Sequence, residues 1–189
     1  MPEGSRVSFL LLERLIYVKS MAKRLSEEAE QGFLEVLTGH EQLINKVVRL
    51  YAGGSEDRRD LFQEIVYQLW RNYGSFKGDS RVSTWIYRVA LNTAITSLRK
   101  SNRLQVTTVL DDKFESSFRS FESLERNEQV RQLYSAIRSL GDIDRALVML
   151  YLEDLSYKDI AEVLGLTEDN VGVRLNRIKT RLRASIGAG

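Results

Sequence analysis

The chain has no cysteine, one proline (Pro2) and one histidine (His40). Without cysteine there is no disulfide, no thiolate zinc site and no cysteine nucleophile. A lone histidine cannot assemble a histidine metal site, so His40 reads as an ordinary helix-face residue. With proline nearly absent, stretches of Ala, Glu, Lys, Leu and Arg at helical spacing predict an all-α protein. No run reaches the roughly 18 apolar residues of a membrane span, so no membrane insertion is expected. Phe9 to Val18 is apolar, but Glu13 and Arg14 interrupt it and make it a poor signal peptide. Charge of one sign is scarce as well: 28 Lys+Arg against 26 Asp+Glu leave a net charge of +2. The chain is therefore no bulk polycation, and a nucleic-acid site has to come from local segregation of charge.

A length of 189 residues fits one domain or two small ones. Residues 1–26 read as an N-terminal extension, of which residues 1–20 are either unstructured or lie upstream of a second start at Met21. Residues 27–100 read as one helical bundle. Phe33, Val36, Leu37, Leu43, Ile44, Val47, Val48 and Tyr51 recur at helical spacing, punctuated by Gly39 and Gly53-Gly54. A third helix starts near Asp57, carries Leu61, Phe62, Ile65, Val66 and Leu69 inward, and stops around Tyr73-Gly74. A fourth runs from Val82 to about Lys100. Residues 101–126, rich in Ser, Thr, Asn and Asp, read as a flexible acidic linker. Residues 127–189 form a second helical unit. The expected fold is therefore all-α, two small helical domains joined by a flexible linker.

The second unit carries the pattern of a helix-turn-helix. Ser156-Tyr157-Lys158-Asp159 has the form of a capping box with Asp in place of Glu. Gly165 suits the left-handed position at the end of the short helix that follows, and Thr167 is placed to cap the next one. On that next helix Val171, Leu175, Ile178, Leu182 and Ile186 share a stripe that buries. Asp169, Val173, Asn176, Arg177 and Thr180 lie opposite, and after Asp169 the chain meets Arg174, Arg177, Lys179, Arg181 and Arg183 without another acid. A helix of this kind fits the major groove, where Arg177 suits guanine, Asn176 adenine and Val173 a thymine methyl.

In the first unit Arg81, Trp85, Arg88, Asn92, Thr96 and Arg99 are spaced 4, 3, 4, 4 and 3 and share a narrow sector of the helix wheel. Ile86, Tyr87, Ala90, Leu91, Ala94 and Leu98 face the other way. A tryptophan amid basic and amide side chains suits opened DNA, whose bases stack on aromatic rings while arginines follow the backbone. Burial of Trp85 beneath a neighbouring helix, with the arginines in surface salt bridges, fits the wheel equally well. Asp60, Gln63, Glu64 and Gln68 give the preceding helix an acidic and amide face, explained by solvation or by a basic partner helix.

Two blocks of this sequence resemble one family. Asp60-Leu61-Phe62-Gln63-Glu64, Leu69-Trp70, Phe76 to Ser80 and Ser83 to Asn92 resemble region 2 of the extracytoplasmic-function (ECF) sigma factors. Leu155 to Ala161 and Val171 to Arg177 resemble region 4. The resemblance implies a transcription initiation factor that binds core RNA polymerase and promoter DNA, has an anti-sigma partner, is cytoplasmic and is no enzyme, with no cofactor, metal or small-molecule substrate. It places polymerase docking at Asp60, Gln63 and Glu64. Melted promoter DNA falls to Phe76, Lys77, Gly78, Asp79, Ser80, Arg81, Trp85, Arg88, Asn92 and Arg99. Duplex promoter DNA falls to Gly172, Val173, Arg174, Asn176, Arg177, Lys179 and Arg181. Gly172 departs from the basic residue of many relatives. Leu140-Gly141-Asp142 departs from the common Leu-Pro, and Asp142 is expected to cap the next helix itself. The rivals are a helix-turn-helix repressor or activator, which leaves the Trp85 stripe without purpose, and a nuclease or phosphotransferase. An enzyme of that kind would need a nucleophile or phosphate loop beside Asp57, Asp60 and Glu64.

Overall fold

The computed structural model describes residues 27–78, 80–105, 136–137 and 139–186. The expected extension at 1–26, residues 106–126 of the expected linker and Asp79 lie outside the described residues, whereas residues 101–105 of that linker are helical.

Seven helices and no strand are found among the described residues. The first unit comprises α1 (Glu27–Gly39), α2 (Glu41–Tyr51), α3 (Ser55–Tyr73) and α4 (Val82–Gln105). The helix α3 begins two residues before the expected Asp57, because the Asp57 carboxylate reaches back to the Gly54 N–H at 3.3 Å and closes the first turn. Ile44, Val47, Leu61, Phe62, Ile65, Leu69, Ile86, Ala90 and Leu91 are buried where these helices meet. Such burial is the main driving force for the bundle.

Aromatic rings continue this core toward one end. Phe33 packs edge-on against Trp70 at 5.0 Å and against Tyr73 at 5.4 Å. Tyr73 reaches Trp85 at 6.4 Å, and Trp85 meets Phe76 at 4.9 Å. Gly32 leaves room for the Tyr73 hydroxyl, since a Cβ there would stand 2.9 Å from it and shift the end of that side chain.

The second unit comprises α5 (Asp142–Leu152), α6 (Tyr157–Leu164) and α7 (Glu168–Ile186). Asp142 does not cap α5: it is the first helical residue, Gly141 stands at the N-cap, and no side-chain cap bond forms. The Asp142 carbonyl is used instead, accepting the Tyr51 hydroxyl at 2.7 Å. Arg145, a buried cation, donates to Leu140 O at 3.2 Å and to Leu50 O at 3.4 Å, and lies 5.6 Å from the Tyr51 ring centre. Burial pushes the Tyr51 hydroxyl well above its ordinary pKa, with Asp142 adding to the rise and Arg145 opposing it. Buried residues of both units form one connected apolar cluster. Among the described residues no helix is long and apolar enough to cross a membrane.

Candidate nucleic-acid interface

The first candidate surface lies where α3 ends and α4 begins. Ser75 N–H bonds to Asn72 O and Phe76 N–H to Tyr73 O, so the chain leaves α3 in a tight turn. Gly78 follows at φ +79°, a conformation glycine adopts without a Cβ penalty. The Trp85 N–H then bonds to Arg81 O and fixes the first turn of α4. This geometry folds Phe76 over Trp85, leaving the indole 9% exposed. Trp85 is thus a wall of the core and not a free platform. Beside it opens a cavity of about 460 Å³.

Of the residues singled out for melted DNA, Phe76, Lys77, Ser80, Trp85, Arg88 and Asn92 line this cavity. Gly78, Arg81 and Arg99 are exposed outside its lining, and Asp79 is not among the described residues. Gln68 and Asn72 from α3 add amides to the wall. Their i, i+4 spacing was visible in the sequence, although Gln68 read there as part of the acidic and amide face. Lower on α3, Asp60 and Glu64 are exposed and Gln63 half-buried, with Glu64 accepting from Gln68 at 2.8 Å.

Another wall residue comes from the second unit. Glu162 on α6 lines the cavity and takes one edge of the Arg88 guanidinium. Arg88 Nε and Nη2 donate to the Glu162 carbonyl at 3.2 and 3.0 Å, and Nη2 donates to its carboxylate at 2.9 Å. At the end of α5, Glu153 accepts from Lys46 Nζ at 2.5 Å and from the Tyr87 hydroxyl at 3.3 Å. Burial, and then Glu153 itself, push the Tyr87 hydroxyl well above its ordinary pKa. No local pattern signals Glu162 or Glu153, because their partners lie 74 and up to 107 residues away.

The second candidate surface is the helix-turn-helix. Ser156 caps α6 by accepting from the Asp159 N–H at 3.1 Å. The Asp159 carboxylate, one methylene shorter than the usual Glu, accepts a hydrogen bond from the Ser156 hydroxyl at 2.6 Å. Gly165 ends α6 in the left-handed conformation at φ +65°, and Thr167 Oγ1 accepts from the Asn170 N–H at 3.3 Å to start α7. On α7, Val171, Leu175 and Ile178 are buried, while Val173, Asn176, Arg177 and Arg181 are exposed. Arg174 is tied to Asp144 at 2.7 Å. Lys179 lies 4.2 Å from the Tyr151 ring centre and 3.1 Å from its hydroxyl. Gly172 lies under Tyr157, where a Cβ would stand 3.6 Å from the ring. The outward face of α7 is thus carried by Val173, Asn176, Arg177 and Arg181, with Gly172, Arg174 and Lys179 engaged by neighbours.

The two units coincide with two family models. Sigma-70 region 2 matches residues 36–104, and Sigma-70 region 4 matches residues 130–182. The RNA polymerase sigma-H factor of Pseudomonas aeruginosa is 30% identical over 173 residues, covering 85% of this chain and 89% of that protein. The ECF RNA polymerase sigma-E factor of Escherichia coli is 28% identical, covering 84% and 88%. The ECF RNA polymerase sigma factor SigM of Mycobacterium tuberculosis is 27% identical, covering 82% and 78%. Among solved structures, the sigma factor RpoE of Bartonella quintana in complex with the anti-sigma factor NepR has a TM-score of 0.61 at 18% identity, covering 86% of this chain and 98% of that one. CnrH in complex with the cytosolic domain of CnrY has the same TM-score at 21% identity, covering 84% and 90%. These two likenesses concern the fold, whereas the sequence relatives and the two family models carry the assignment: the chain belongs to the ECF sigma factors of RNA polymerase.

Proposed function

We propose that this sigma factor docks core RNA polymerase through Asp60, Gln63 and Glu64, reads one opened promoter strand in the α3–α4 cavity and reads upstream duplex with α7. The cavity carries the reading. Phe76 and Trp85 give it an aromatic wall, Lys77 and Arg88 give it positive charge, and Asn92 and Asn72 give it paired donors and acceptors. Single-stranded bases are held by that combination of stacking, charge and hydrogen bonding. Gly78 lies at the entry, Asp79 is assigned to the same strand, and Arg81 and Arg99 follow its backbone. On α7, Val173, Asn176, Arg177 and Arg181 face the groove, and Gly172, Arg174 and Lys179 approach its edge. The protein acts in the cytoplasm without catalysis, cofactor or metal, and an anti-sigma protein regulates it. The solved relatives held by NepR and CnrY support that last element.

Run-off transcription with purified core polymerase on a genomic promoter library tests the reading. Promoter-specific transcripts are expected with this chain, and Arg88→Gln should abolish most of them while leaving polymerase binding intact. Absence of specific transcripts with active core overturns it.

A further inference from the structure

We infer that the cleft between α2 and α3 is an anion site for a small polyphosphate, gripped by Arg49, Arg58 and Arg59. The cleft measures about 390 Å³, and Asn45, Ser55 and Glu56 also line it. It stands apart from the α3–α4 cavity, with which it shares no lining residue, and it takes none from the second unit.

The path of the chain brings the three arginines together. Arg49 lies in the last turn of α2, Arg58 and Arg59 lie in the first two turns of α3, and Gly53-Gly54 connects them. The arrangement is electrostatically adverse. Cations are favoured at a helix C-terminus and disfavoured near the N-terminus, where Arg58 and Arg59 sit. Burial, and then the charge of Arg49, hold the Arg58 guanidinium below its ordinary pKa. Acids are near in sequence, yet among the described residues no ion pair joins Glu56, Asp57 or Asp60 to these arginines. Asp57 instead turns its carboxylate to the Gly54 N–H.

Arg58 carries the assignment. Its Nε and Nη2, the two donors along one edge of the guanidinium, are buried without a hydrogen-bond partner. An unpaired buried donor is costly, more so when charged. That same edge is the fork that binds an oxyanion through two parallel bonds. The Arg58 side chain lines the cleft and is half-buried, so turning its guanidinium brings the fork to a ligand there. A carboxylate has two oxygens, which one fork uses up. A polyphosphate has oxygens left for Arg49 and Arg59, both exposed, and the charge to balance all three. The Ser55 hydroxyl and the Asn45 amide add neutral donors. Phe62, in the same lining, is 1% exposed, so its ring is not offered to a base and recognition falls on the phosphates.

Isothermal titration of the full chain with sodium pyrophosphate at fixed ionic strength tests the site. Saturable binding at one site is expected. R58Q should weaken it about tenfold, the worth of one charge-assisted fork. R49Q/R59Q alters two exposed side chains, keeps the fold by circular dichroism, and should weaken binding at least as much. R71Q removes an exposed charge from the far end of α3 and should change nothing. No saturable binding, an equal loss in R71Q, or sodium sulfate binding as tightly as pyrophosphate overturns the proposal. Titration with ATP names the source: tighter binding assigns the cleft to a nucleotide, equal or weaker binding to an inorganic polyphosphate, and both uphold it. If R58Q weakens a mixed-sequence DNA duplex while pyrophosphate does not bind, the arginines hold a DNA backbone and the small-ligand site is overturned.

Discussion

Tyr51→Phe isolates one bond between the two units. The ring is 4% exposed and keeps its packing in the variant, including its place 5.6 Å from the Arg145 guanidinium. What is lost is the hydroxyl, which donates to the Asp142 carbonyl at 2.7 Å. A hydrogen bond of this kind contributes a net of about 0.5–1.5 kcal/mol. Asp142 is half-exposed, so water can reach its carbonyl in the variant, and the full penalty for an orphaned acceptor does not apply. The expected loss is about 1 kcal/mol near neutral pH, measured by urea unfolding of the full chain. The pH dependence supplies a second reading. Burial holds the Tyr51 and Tyr87 hydroxyls above the ordinary tyrosine value. Above about pH 10 the unfolded chain releases protons that the folded chain retains. Stability contributed by these groups is thus complete below about pH 10 and falls as pH rises above it. Each group contributes a slope of about 1.4 kcal/mol per pH unit, so Tyr51→Phe should remove about half of the alkaline slope due to this pair. A stability loss below about 0.3 kcal/mol, or an unchanged alkaline slope, would refute the role assigned to this hydroxyl.

Trp85→Ala removes a buried indole packed on Phe76 and should cost about 3–5 kcal/mol of stability by urea unfolding, which makes it a poor probe of DNA reading. Lys77→Ala is the better probe. Lys77 is exposed at the cavity, so stability should move by less than about 0.5 kcal/mol. The slope of log affinity against log salt for opened promoter DNA should fall by about 1. Gly165→Ala meets no atom within 4 Å but must adopt φ +65°, and should lose about 1–2 kcal/mol in the same unfolding assay. Gly172→Ala places its Cβ at ordinary contact distance from Tyr157 in mid-helix, and should gain about 0.5–1 kcal/mol.

Helices were legible in the sequence because their determinants are local. The apolar period of α2, α3 and α7, the Ser156 cap and the glycine at 165 each act within a few residues, and each is found in place. The helix-turn-helix and the outward position of Val173, Asn176 and Arg177 follow from the same short-range rules. Family motifs extended that reading to sigma regions 2 and 4. Asp142 shows where local reasoning stops. Its side chain was expected to cap α5, yet its backbone carbonyl meets Tyr51, 91 residues earlier in the chain. The wheel set Trp85 between Arg81 and Arg88 on one sector, but it had no means of showing that Phe76 and Tyr73 close over the indole. Arg174 and Lys179 read as part of a basic face until α5 brought Asp144 and Tyr151 against them. The sequence alone determined which residues a helix turns to each side. Tertiary structure alone decided what waits there, since a partner such as Glu162 is brought to Arg88 by packing between separate helices.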